Sequence, residues 1–283
     1  MLNKKLRIVS VRGLKPEDEK LIYAFWQGAV YLWCKFRPND WFALRDLMGQ
    51  GIAGDPTDAG NFFWNGTPLM VLWNQQEKRY RLKEEPSDKN LKRALKQAAA
   101  NAGKLLKKAI NGDQYHLFDT KVENITRKYL WIGTAPKNSE QESQQLNNDS
   151  GDERPTAEEL ISAFLQGAVY IWCKLRPNEW FALRDLMGKA VIDPSDDSCF
   201  FWNDTPLKAL WEQEKESCGL NTEYSDEKLV VALKQTASHA DELLKKAIDN
   251  DTFRHFDSKV EGRTRKYRWN RQAPKTNEQE SQE

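Results

Sequence analysis

The strongest constraint on this chain is that it writes one stretch twice. WCKFRPNDWFALRDLMG begins at Trp33 and WCKLRPNEWFALRDLMG at Trp172. From Leu21 to Met48, set against Leu160 to Met187, 23 of 28 positions are identical at an offset of 139. After one shortened loop the offset becomes 138 and then holds. Phe62–Asn65 matches Phe200–Asn203, Thr67–Leu69 matches Thr205–Leu207, Leu105–Lys108 matches Leu243–Lys246, and Thr126–Tyr129 matches Thr264–Tyr267. A unit of about 138 residues is of ordinary domain size and far longer than a solenoid repeat of roughly 20 to 50 residues.

The expected fold is therefore α+β and helix-rich, with two tandem copies of one domain, each mostly helical with a small β element. The expected divisions are a first repeat domain over 1–133, a flexible acidic linker over 134–154, a second repeat domain over 155–272 and a disordered tail over 273–283. The linker, KNSEQESQQLNNDSGDERP, has almost no apolar residues, too few to offset its ordering entropy. The matching register of the copies suggests that they pair like the subunits of a fused homodimer.

Within one copy, Leu21, Phe25, Gly28/Ala29, Leu32/Trp33 and Phe36 recur at helical spacing, which predicts a helix from about Glu17 to Phe36. Pro38 ends it, because a proline biases the preceding residue out of the α region. The second version opens with Thr156-Ala-Glu-Glu159, the pattern of a capping box. A short element from Trp41 to Met48 follows, closed by Gly49. Thr67 is then expected as the N-cap, and Pro68 at the first position, of a third helix. Leu91, Leu95, Ala98, Ala102, Leu105/Leu106 and Ala109 form the stripe of the longest helix, about Asp88 to Ile110. The copy closes with ITRKYLWIG, whose β-branched and aromatic residues predict a strand. Leu6 to Val11 is expected as a further strand. Over about 65 residues per copy the element order resembles a helix-turn-helix core, with a long helix intervening before the strand that would serve as a wing.

Catalytic signatures are missing. The three histidines, His116, His239 and His255, stand in register with Arg254, Asn101 and Leu117, so neither copy repeats the other's histidine. A shared histidine-based active site or zinc site is excluded on that ground, and no phosphate-binding or hydrolase motif occurs. The reading leans against enzyme activity, and no cofactor or metal is expected. Four cysteines without a CxxC do not make a disulfide framework, and Cys34, beside Trp33 on the helix stripe, reads as a small buried hydrophobe. A mean hydropathy of −0.79 and the lack of any apolar run near 18 residues argue against a membrane span. Cytoplasmic residence is expected.

Binding is the remaining class. The net charge of +1 conceals an asymmetry, since residues 1–138 hold 24 Lys+Arg against 14 Asp+Glu. A basic unit suits an anionic partner. In the closing strand Arg127, Tyr129 and Trp131 alternate with Thr126 and Lys128, a pattern able to combine phosphate contact with stacking. The expected function is a non-catalytic tandem-domain binding protein with nucleic acid as partner. Lys92, Arg93, Lys107, Lys108, Arg127, Lys128 and Tyr129 of the first copy, with Arg265, Lys266 and Tyr267 of the second, are its candidate contacts. The alternative is a protein-interaction adaptor that uses the repeated stretch: Arg37, Asn39, Arg45 and Trp64, with Arg176, Asn178, Arg184 and Trp202. Arg45-Asp46 and Arg184-Asp185 are expected as ion pairs that hold the short element. An enzyme without a recognisable motif is the third class. The sequence also permits intramolecular pairing of the repeats.

Overall fold

A computed structural model describes residues 11, 13–48, 65–84, 87–113, 116–134, 155–187, 205–222, 224–251 and 254–270. The expected strand from Leu6, the Gly49 cap, Trp64, Trp202, the tail and nearly all of the linker lie outside these residues.

Helix α1 (Pro16–Phe36) starts with proline at its first position and carries Glu17, Asp18 and Glu19 in its first turn, where carboxylates complement the helix dipole. It is followed by α2 (Leu44–Met48), α3 (Met70–Arg79) and α4 (Asp88–Gly112), then by an antiparallel hairpin of β1 (His116–Glu123) and β2 (Thr126–Thr134). The same order recurs as α5 (Ala157–Leu175), α6 (Leu183–Met187), α7 (Lys208–Ser217), α8 (Asp226–Asp249), β3 (Phe256–Glu261) and β4 (Thr264–Trp269). The expected capping box is present. Glu159 N–H donates to Thr156 Oγ1 at 3.2 Å, and Thr156 N–H donates to Glu159 Oε2 at 2.7 Å.

One local expectation needs correction and another is extended. Helix α3 begins at Met70, later than expected, because a tight turn intervenes in which Met70 N–H donates to the Thr67 carbonyl at 3.0 Å. Asp46 lies 4.0 Å from a mostly exposed Arg45, so its stronger bond is to the backbone: it accepts from Ala43 N–H at 2.8 Å, and Asp185 accepts from Ala182 N–H at the same distance. The aspartates thus cap the short helices more than they pair with arginine.

Each hairpin is joined to the segment before a short helix by one backbone bridge. Phe42 and Tyr129 exchange backbone hydrogen bonds at 2.9 and 2.8 Å, as Phe181 and Tyr267 do at 2.8 and 2.7 Å. The Phe42 ring then packs among Trp33, Phe118 and Tyr129, and Phe181 among Trp172, Phe256 and Tyr267.

The core continues across the contact of α1 with α5. There the backbones approach so closely that a Cβ on Gly28 would stand 1.9 Å from the Phe164 carbonyl oxygen, and one on Gly167 2.1 Å from that of Phe25. The polar contacts across this interface are also reciprocal. Lys35 Nζ donates to the Asp185 and Leu186 carbonyls at 2.8 and 3.1 Å, at the end of α6. Lys174 Nζ donates to the Asp46 carbonyl and, at 3.0 Å, to that of Leu47, at the end of α2. Cations there satisfy carbonyls that a helix leaves without intrahelical partners.

Candidate functional site

The outer face of α4 repeats small and basic residues at helical spacing: Ala100, Gly103, Lys104 and Lys107. Strand β2 presents Arg127 and Tyr129 two residues apart, hence on one face. The Phe42–Tyr129 bridge fixes that face against the start of α2, which adds Leu44 and Arg45. Together these elements form an open groove of about 390 Å³. Arg45, Lys104, Lys107 and Arg127 line it, all exposed, and among the described residues no acidic one does. Leu44, Leu106 and Tyr129 contribute the apolar part of its wall.

Nearby acids are already engaged. Asp46 caps α2 through Ala43. Glu123, at the hairpin tip, pairs with Lys128 at 2.6 Å, and this hydrogen bond holds its carboxyl below the usual range, with charge contributions from Lys128, Lys121 and Arg45. Four cations converging without a lining carboxylate repel one another, and an anion that enters relieves the repulsion. The groove can therefore bind an anionic group. Among the described residues no cluster of three His, Cys, Asp or Glu could hold a metal ion.

The structure sorts the sequence candidates. Lys107, Arg127 and Tyr129 meet in the groove, and Arg45, expected on a protein-contact surface, joins them. Lys92 and Arg93 lie about four turns before Lys107 on α4, roughly 20 Å away at 1.5 Å per residue. Lys108 pairs with Glu19 of α1, and Lys128 with Glu123. Lys266 pairs likewise with Glu261, and Arg265 is half-buried. Tyr129 and Tyr267 are buried to 3% and 1% exposure, which leaves no free ring face to stack on a base. Burial pushes the Tyr129 hydroxyl up to about 12. Arg37 lies over Trp33 near Asp40, and Arg176 lies over Trp172 and Phe36 near Glu179. Asn39 and Asn178 take positive φ just after the helix ends, and Arg184 is exposed on α6.

Gly103 and Lys104 were missed by sequence reasoning, which took Lys92, Arg93, Lys107 and Lys108 from α4 without following its outer face. The three- and four-residue spacing of 100, 103, 104 and 107 was the available signal.

Cys34 is half-buried and burial pushes its thiol up to about 12, far from the thiolate that reactivity requires. No helix among the described residues is long and apolar enough to cross a membrane. No protein-family model matches the chain, and no curated protein or solved structure shows significant similarity to it.

Proposed function

We propose that this chain consists of two tandem copies of one domain and is a non-catalytic protein that binds nucleic acid through the α2/α4/β2 groove. The observation that carries this reading is the convergence of Arg45, Lys104, Lys107 and Arg127 on one groove with no lining carboxylate among the described residues. Phosphate oxygens are the ligand atoms that such a set accommodates, and arginine can bind them in a bidentate fashion. Contacts of this kind position a backbone and do not read sequence. Thiols outside any disulfide at Cys34 and Cys218 suit a reducing, cytoplasmic setting. The adaptor reading has less support, because much of the repeated stretch is spent on the core and on the α1–α5 contact.

Fluorescence anisotropy of the full chain against labelled single-stranded DNA, duplex DNA and RNA over a salt series tests the proposal. Two to four neutralised phosphates predict a log–log salt slope of about −2 to −4 on duplex. The double variant Lys107→Ala/Arg127→Ala is expected to lose about two units of that slope and at least tenfold in affinity. Lys92→Ala/Arg93→Ala, outside the groove, is expected to leave both close to wild type. Absence of binding to all three probes at low salt would remove nucleic acid as the partner and give the lead to the adaptor.

A further inference from the structure

The two halves carry the groove's parts in register, and at two positions the second half changes their charge. Arg45, Lys107, Arg127 and Tyr129 have the counterparts Arg184, Lys245, Arg265 and Tyr267. Gly103, however, becomes Asp241, and Lys104 becomes Glu242. Four cations in the first half therefore face three cations and two carboxylates in the second.

The local environment follows this exchange. Arg127 is exposed, whereas Arg265 is half-buried. Burial raises the Asp241 carboxyl, and the Arg265 charge opposes that rise. The Tyr267 hydroxyl is likewise raised, chiefly by burial and next by the Asp241 charge. That hydroxyl is buried without a hydrogen-bond partner among the described residues. Asp241 holds on α8 the position that Gly103 holds on α4, beside Arg127 and Tyr129 in the groove, and its charge acts on the corresponding Arg265 and Tyr267. In the first half the same backbone position is glycine. A Cβ built there would meet only the Leu44 Cδ2 atom at 3.6 Å, an ordinary contact, so sterics do not require glycine at this site. Its φ is not positive either, and within a helix glycine costs about 1 kcal/mol relative to alanine.

We propose that Asp241 is a resident stand-in for the ligand's phosphate, so that the corresponding face of the second half is neutralised from within. The chain then binds nucleic acid at one site, in the first half, and Gly103 is the residue that keeps that site open. This inference rests on the nucleic-acid reading of the groove and adds to it the stoichiometry and the residue that decides it.

The test titrates a short labelled oligonucleotide into the full chain and reads affinity and stoichiometry. Wild type is expected to bind one oligonucleotide per chain. Gly103→Asp, which places in the first half the residue the second half already accommodates, is expected to weaken binding at least tenfold with an unchanged circular dichroism spectrum. Asp241→Gly combined with Glu242→Lys is expected to raise the stoichiometry to two, a gain that a destabilised fold could not mimic. Wild-type binding that Gly103→Asp leaves unchanged in a folded chain would overturn the gating role of Gly103 while the nucleic-acid reading stands. A double variant that still binds one oligonucleotide would overturn the stand-in role of Asp241. A wild-type chain that binds none would overturn the nucleic-acid reading and this inference together.

Discussion

Three glycines in helices illustrate how differently one residue type is used. Gly28 and Gly167 let α1 and α5 approach backbone to backbone, whereas Gly103 faces an open groove. Gly28→Ala forces a Cβ to within 1.9 Å of a carbonyl oxygen, which only separation of the two helices can relieve. Overpacking of this kind is expected to cost about 3 kcal/mol. Gly103→Ala meets no such obstacle and is expected to gain up to about 1 kcal/mol from helix propensity. Urea denaturation of the two variants beside wild type checks the contrast. The sequence shows Gly28 and Gly167 on an apolar helical stripe but not what they face. That depends on a partner helix 139 positions away in the chain.

At the scale of elements, the cross-interface lysines connect packing to pH. Lys174 is half-buried at the end of α2, and desolvation lowers it from 10.5 to about 8, opposed by Asp46 and reinforced by Arg37. Between these values the unfolded chain binds more protons than the folded one, so stability rises with pH as the folded-state lysine gives up its charge. Cys34, pushed up to about 12, acts in the opposite sense once pH passes 9, and Tyr23 and Tyr129, also near 12, do so above 10. A small gain in urea midpoint from pH 8 to 9, followed by a decline, is therefore expected. Lys174→Met is expected to remove the gain, and a variant that keeps the wild-type rise would assign it to another group.

The elements themselves differ in how plainly the sequence shows them. Helices α1 and α4 are legible because their apolar stripes are long, and Thr156-x-x-Glu159 marks the start of α5 one residue before it begins. Strand β1 was missed because HLFDTKVE has little β-branched content. It is a strand through its pairing with β2, closed by a two-residue turn at Asn124 and Ile125, both at positive φ. The third helix was placed too early because Thr-Pro is a strong start signal, and here it opens a turn instead.

For the whole molecule, the repeated order of elements meets in a continuous core, yet charge is not repeated with it. Residues 1–138 hold an excess of ten positive charges, and the structure shows four of their cations gathered at one groove. The asymmetry was visible in composition. Its location was not, since Arg45, Lys104, Lys107 and Arg127 come from three separate elements that only the fold brings together.

Hydrogen–deuterium exchange of the full chain, with and without a saturating oligonucleotide, most directly tests that this groove binds nucleic acid. Added protection is predicted over residues 44–47, 100–108 and 126–130, with no change over 183–186, 238–246 and 264–268. Protection at the second set, or binding that leaves both sets unchanged, would contradict it.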